Sequence, residues 1–432
     1  MPSFTTYVPR HRVIIKDLKT GQIKFDVSND LVSLGTNKAY GRAAGTFQIL
    51  LTAKVFGKLN LGYEKRIQPN DLVTIELDAG AGDGLKPVMI GLVDRVSKTS
   101  NTAGNNPQRG VKISGRDLGK LLVTHDIGWD ISGAQTQNTI QKQGEGAGVK
   151  KLDANYLSRF TLQTGTATSL IMQIFGIFLK ALNSSAQAKF IFTSTTDDEW
   201  EIWDSSLQTI QDASAWAAME RHSHRPWNML HCDTFDLNTF QITLERNPIN
   251  DQGMLDRPES ATHFIDDNGI VMEDVGCSDG ERVNLLCYWP TAYHVTPEST
   301  VDIVMAHPDL TKFDEAQIEL NGYCPYTIKD NFSPPAVRTA IDEDGYGILV
   351  AEAIPRAEIF WNWYSMNHEL ESGTFLIHGD PAIKAGDVLL VRQGTTSTKK
   401  EYLIEQVVHS YSVWPRIAFT TTMQVTRGQA HA

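Results

Sequence analysis

Ile67-Gln68-Pro69-Asn70-Asp71-Leu72-Val73 and Ile383-Lys384-Ala385-Gly386-Asp387-Val388-Leu389 carry one pattern in opposite halves of the chain. Each runs from an isoleucine through a turn to Asn-Asp or Gly-Asp, then into two apolar residues. Asn and Gly tolerate positive φ, and Asp can bond the backbone of its own turn. Both stretches therefore predict a tight corner that feeds a β-strand. Three further pairs of strings flank them in the same order. Gly45-Thr46-Phe47-Gln48-Ile49 matches Gly373-Thr374-Phe375-Leu376-Ile377. Leu92-Val93-Asp94-Arg95-Val96 matches Leu403-Ile404-Glu405-Gln406-Val407, and Val111-Lys112-Ile113-Ser114 matches Met423-Gln424-Val425-Thr426. The last gap is conserved (111 − 96 = 15 and 423 − 407 = 16), while extra residues in the first copy fall in the 53–66 loop. Any β protein contains one such string. Four in order imply a duplicated β unit.

Outward from the repeat, the first segment reads as short strands at 13–15, 22–27, 46–51, 72–77, 89–96 and 111–114, separated by turn residues. The middle changes character. Gly144 to Gly148 reads as a flexible connector, and Leu170, Ile174, Phe178 and Ala181 have helical spacing. A second helix is expected over 206–222, with Asp204 or Ser205 as its N-cap. Strands return at 229–232, 240–245 and 283–289, and the polar stretch 247–267 reads as a surface loop. A third helix is expected over 351–364, with Pro355 tolerated near its first turn. The expected organisation is a first β unit at 1–128, a helical insert at 129–228 and strands at 229–295 that join the second unit or a lateral domain. A mixed α/β lateral domain at 296–364 and the second β unit at 365–432 complete it.

A chain of 432 residues exceeds what one core normally serves, so several domains are expected. Four cysteines without CxxC spacing are too few for a disulfide framework and are expected to be reduced. Cys277 and Cys287 are placed to face each other across a hairpin as a reduced pair. The net charge of −12 and the absence of a run of five Lys or Arg residues argue against a sequence-specific DNA binder. No signal peptide is expected from Met1-Pro2-Ser3-Phe4. The most apolar stretch, 170–182, is shorter than the roughly 20 residues of a membrane span. It holds Gln173 and Lys180, and so reads as a core helix.

The densest metal-capable group is His222, His224, His231 and Cys232. A zinc site needs four converging ligands, and Pro226 and Trp227 interrupt the run. A polar helix end entering a strand explains it more simply. The carboxylate pairs Asp266/Asp267 and Asp342/Asp344 read as solvated turns. Gly80-Ala81-Gly82-Asp83-Gly84 mimics a phosphate loop without the following Lys-Ser/Thr, and reads as a hairpin turn. No catalytic, cofactor-binding or metal residue is therefore assigned, and the chain is not expected to be an enzyme.

The two ends also resemble the baseplate hub proteins of contractile-tailed phages, the late control gene D family. That family is related to the hub half of type VI secretion spike proteins. The cues are Gly91-Leu92-Val93-Asp94-Arg95-Val96 with Ile113-Ser114-Gly115-Arg116-Asp117-Leu118. At the other end they are Ile377-His378-Gly379-Asp380-Pro381, Lys384-Ala385-Gly386-Asp387, the run Tyr402-Leu403-Ile404-Glu405-Gln406-Val407-Val408-His409-Ser410, and Thr426-Arg427-Gly428. The resemblance implies a mainly β fold with α+β insertions, in which two similar tube-type β-barrel domains plus a helical insert form a pseudo-hexameric ring as a homotrimer. It implies a structural hub in the virion tail baseplate, assembled in the host bacterial cytoplasm. Such a hub adapts the six-fold tail tube to a three-fold central spike and lets DNA pass. The implied partners are the tube hexamer, a separate trimeric spike protein (the chain ends soon after its second β unit), other baseplate proteins and a tape measure protein. No cofactor is implied. The alternative is a tail-tip protein with a cell-wall-degrading or carbohydrate-binding role, which the nine Trp residues keep open. One conflict remains inside the repeat. Strict alternation puts Asp94 and Glu405 on the core side with Val96 and Val407. Either a bulge intervenes, or that wall faces a wet channel.

Overall fold

The computed structural model describes residues 8–56, 61–101, 108–125, 166–182, 189–196, 214–295, 300–304, 308–330, 343–392, 399–414 and 416–431. The chain is mainly β. Its first unit contains β1 (Arg10–Lys16), β2 (Ile23–Asp26), β3 (Leu31–Ala39), β4 (Thr46–Thr52), the two-residue β5 (Val55–Phe56) and β6 (Leu61–Gly62), β7 (Leu72–Asp78), β8 (Lys86–Asn101) and β9 (Gln108–Asp117). Alternating side chains bury one face of β4, while every residue of β7 is buried. In β4 the inward residues Phe47, Ile49 and Leu51 meet Val13, Ile15, Ile75 and Ile113 in one core. The short helices α1 (Tyr63–Arg66) and α2 (Gly119–Thr124) flank it.

The middle holds α3 (Ala167–Ala181), β10 (Lys189–Ser194), α4 (Ala215–Arg221), β11 (Asn228–Thr234) and β12 (Thr239–Arg246). The expected core helix is present. Thr166 caps it, and Leu170, Ile171, Ile174 and Phe178 are fully buried against the three-stranded sheet β10-β12-β11. Of the second expected helix, residues 206–213 lie outside the described residues. Its described part is α4, capped by Ser214, whose hydroxyl accepts from Ala217 N. The expected caps Asp204 and Ser205, the connector 144–148, Trp200, Trp203 and Asp342 lie outside the described residues.

Next come β13 (Thr262–Asp266), β14 (Ile270–Cys277), β15 (Leu285–Val295), β16 (Thr300–Val304), β17 (Thr311–Phe313), α5 (Glu315–Asn321), β18 (Pro325–Asp330) and α6 (Glu343–Tyr364). Strands β15 to β18 form a lateral sheet under α6. Helix α6 begins earlier than expected, so Pro355 sits in its interior rather than its first turn. The stripe Ala353, Ala357, Phe360 and Trp363, buried on Leu286, Tyr288 and Ile328, holds the helix across the missing N–H. Trp361 packs on the same core. The stretch 247–267 is not all surface loop. Ile249 is buried and β13 ends the stretch. Cys277 and Cys287 do not face each other, because β14 and β15 belong to different sheets. All four cysteines are free.

The second unit closes the chain with β19 (Glu371–His378), β20 (Val388–Arg392), β21 (Lys399–Ser412) and β22 (Ala418–Ala430). Strands of both units lie in one 13-stranded sheet. Within it, β4-β9-β8-β7 and β19-β22-β21-β20 have the same order, all antiparallel. The corners coincide as well. Asn70 and Gly386 take φ of 67° and 96°. Val93 N donates to Asp71 O at 3.0 Å and Ile404 N to Asp387 O at 2.9 Å. Asp71 and Asp387 each accept from a backbone amide three residues earlier, Gln68 N at 2.9 Å and Lys384 N at 3.0 Å. Leu72 opposes Leu92 as Val388 opposes Leu403.

The conflict over Asp94 and Glu405 is resolved by a bulge in both units. Val93 opposes Gly115 and Arg95 opposes Ser114, which leaves Asp94 as the extra residue. Ile404 opposes Val425 and Gln406 opposes Gln424, which leaves Glu405 as the extra residue. Each bulge shifts the alternation by one, so Val407 is buried and Val96 packs on the first core. Two of the four string matches slip. Counting from the bulges, Val96 opposes Ile113, which opposes Ile49, while Val407 opposes Met423, which opposes Phe375. Ile49 therefore corresponds to Phe375, and Ile113 to Met423. Each is displaced by two residues from the equivalence the letters suggested.

Candidate assembly site

The two units meet where residues 406–412 of β21 pair antiparallel with residues 33–39 of β3, from Gln406 opposite Ala39 to Ser412 opposite Ser33. The end of β3 carries Lys38 and Tyr40 into a cavity of about 270 Å³ that the sheet β10-β12-β11 and the Gly386 corner also line. Lys38 pairs with Asp117, the last residue of β9. Asp117 is 1% exposed and also accepts from Gly45 N at 2.9 Å and Gly119 N at 3.0 Å. One carboxylate thus ties β3, β4, β9 and the start of α2, which is what the Gly-Arg-Asp string does in the fold. Burial pushes the Asp117 carboxyl up, opposed by the Lys38 ammonium and the two amides. Burial works against the Lys38 charge too, but Asp117 outweighs it and Lys38 lies above its ordinary value.

Beside this pair, Arg257 donates to both oxygens of Glu245 at 2.7 and 2.8 Å, and Tyr40 Oη donates to Glu245 at 2.7 Å. Burial opposes Glu245 ionisation, yet Arg257, His231 and Tyr40 hold its carboxyl below the usual range. His263 Nε2 lies 2.7 Å from Asp387 Oδ2, and Lys384 pairs with Asp233. These charges neutralise one another across the junction. They tie β3 to β12 and the second corner to its neighbours, with His231 Nδ1 lying 3.4 Å from Glu245 Oε1.

The four metal-capable residues do not converge. His222 and His224 are buried at the end of α4. His231 and Cys232 are consecutive in β11, so they point to opposite faces. Cys232 enters the apolar core, where burial pushes its thiol up, and His231 faces Glu245. Among the described residues, no three His, Cys, Asp or Glu side chains are grouped to hold a metal ion. Asp266 ends β13 and Asp267 opens the following turn, while Asp344 lies in the first turn of α6. Gly80, Gly82 and Gly84 all have positive φ in the turn between β7 and β8. The Asp94 bulge is anchored by Arg116 at 2.8 Å and Lys120 at 2.7 Å, which hold the Asp94 carboxyl below its usual range against partial burial. Sequence reasoning missed Tyr40, Glu245 and Arg257, which form no motif because Tyr40 lies 205 residues from Glu245.

No family model matches the sequence, and no curated protein matches it. Among solved structures, the chain is similar to a 43 kDa tail protein of prophage MuSo2 from Shewanella oneidensis. They share 15% identity and a TM-score of 0.51, over 96% of this chain and 98% of that one. It is equally similar to a tail protein from Neisseria meningitidis, at 10% identity and a TM-score of 0.51, over 96% of each chain. An E. coli component of the type VI secretion system is a looser likeness that carries no argument, at 9% identity and a TM-score of 0.40 over 93% of this chain and 76% of that one. The fold is that of phage tail proteins. Among the described residues, no helix is long and apolar enough to cross a membrane.

Proposed function

We propose that this chain is a structural baseplate hub subunit of a contractile phage tail, acting as a homotrimer in the virion. The observation that carries the proposal is the duplication. Two units with the same strand order, the same Asp corner and the same acidic bulge lie in one sheet. Three chains would then present six similar units on one face, which suits a six-fold tail tube, while the chain itself repeats only three times, which suits a three-fold spike. The proposed organisation keeps tube-like units at 1–128 and 365–432, the second joined by β13 and β14 from the 229–295 strands, with the insert and lateral domain between them. The proposed partners are the tube hexamer, a separate spike trimer, neighbouring baseplate proteins and the tape measure protein, with DNA passing through the ring. The role is mechanical rather than catalytic, and the mutually neutralised charges at the junction support that reading.

Native mass measurement of the purified chain, alone and with its tail tube and spike proteins, tests the proposal. A trimer that binds a tube hexamer is the expected result. A chain that stays monomeric with both partners present would overturn it.

A further inference from the structure

Among the described residues of one chain, the two units are joined by a single ladder between residues 406–412 of β21 and residues 33–39 of β3. Each of those strands has a counterpart in the other unit. Through the matched bulges, residues 95–101 of β8 stand where 406–412 of β21 stand. Strand β3 lies antiparallel to β4, and β14 lies antiparallel to β19, so β14 stands where β3 stands. Among the described residues, neither counterpart has a strand on its outer side. Residues 95–101 of β8 pair with β9 alone, and β14 pairs with β19 alone. The chain therefore contains one completed junction and, on separate strands, the two halves of a second.

An open strand edge is a template for another chain. These edges carry complementary charge, with exposed Arg95 and Lys98 on β8 and exposed Glu273 and Asp274 on β14, although Lys98 also lies 3.0 Å from Glu64 Oε1 within its own chain. The β14 edge also exposes Val271 and Met272, each 52% accessible. We propose that residues 95–101 of β8 pair antiparallel with β14 of a second copy of this chain, and that three such pairings close the ring. The proposal rests on the trimeric reading above and adds which surfaces meet and in what register.

The register transfers from the internal junction. Val407 opposes Lys38 there. Val407 corresponds to Val96. The path Val96, Ile113, Ile49, Leu34 parallels Val407, Met423, Phe375, Glu273, which makes Leu34 correspond to Glu273 and Lys38 to Cys277. Val96 of one subunit then opposes Cys277 of the next. Lys98 opposes Val275 and lies diagonal to Glu273 on the same face, within reach of a long side chain.

Cys277 is a free, exposed thiol, so one substitution makes the test. Directly opposed residues have Cα atoms about 4.5–5.5 Å apart, inside the range a disulfide spans. In V96C under mild oxidation, non-reducing gels should show covalent species ending at the trimer. Neither V96C/C277S nor S97C, whose side chain faces the other way, should cross-link. Native mass measurement of the same sample separates the two ideas. A trimeric V96C that does not cross-link overturns the edge pairing and leaves the trimer standing. A monomer in the presence of tube and spike proteins overturns the trimer itself, and bands continuing past three overturn ring closure. If V96C does not fold, K98E should weaken the trimer roughly two- to fivefold. K98E/E273K should recover it, and a double variant no better than the single would overturn the register.

Discussion

Replacing Asp117 with Asn keeps the shape of the side chain and removes one charge from a site that is 1% exposed. Lys38, 16% exposed at its side chain, then loses the counter-ion it pairs with, and one of the amides of Gly45 and Gly119 faces an NH2 instead of an oxygen. Breaking a buried pair from one side costs about 3–5 kcal/mol, of which an orphaned amide accounts for roughly 1–3. That is a large share of the 5–15 kcal/mol typical of a domain, so the first unit should lose much of its urea resistance. K38M should cost less. Asp117 keeps both backbone donors, and the aliphatic part of the side chain still covers the Phe240 ring, 5.2 Å from the Lys38 ammonium. The double variant D117N/K38M removes the stranded charge and should recover roughly 1–3 kcal/mol relative to the sum of the singles. The assay is a double-mutant cycle by urea unfolding, followed by tryptophan fluorescence and circular dichroism. If the single effects add within about 0.5 kcal/mol, the pair is not coupled and Asp117 does not organise the junction as argued.

At the second corner, G386A meets both a φ of 96° and the Tyr40 ring, 2.6 Å from the added Cβ, and should destabilise by about 2–4 kcal/mol. N70G at the equivalent position of the first unit should change stability by less than about 1 kcal/mol, and thermal unfolding of the two variants checks the contrast. His409 is buried with Nδ1 3.0 Å from Thr421 Oγ1, and burial lowers its pKa from 6.5 to about 4. The unfolded chain takes up the proton below about pH 6.5 and the folded chain resists until about 4. Stability is therefore full above that window and is lost as pH falls through it, by up to about 3 kcal/mol. Urea midpoints measured from pH 7 to 4 should fall less steeply for H409Q than for the natural chain, and parallel curves would refute the assignment.

The corners, the bulges and the duplication were readable in the sequence because each is a local rule. A positive-φ residue before an Asp declares a turn, and an acidic residue inside an alternating apolar run must be displaced or paired. The long apolar helix α3 was readable for the same reason, through its own spacing. What the letters left open depended on partners far away. Strand pairing has a period of two, so a slip of two residues keeps every side chain on its proper face. The match of Phe47 with Phe375 thus satisfied the pattern, while the ladders through β9 and β22 align Ile49 with Phe375. Strand β13 looked like loop because only its ladder with β20 makes it a strand, and Pro355 was assigned to a first turn because the packing that sustains α6 comes from the lateral sheet. The junction of Lys38, Tyr40, Glu245 and Arg257 shows the same division. These residues lie on separate strands and a loop, and only tertiary structure could bring their charges within hydrogen-bonding range and out of water.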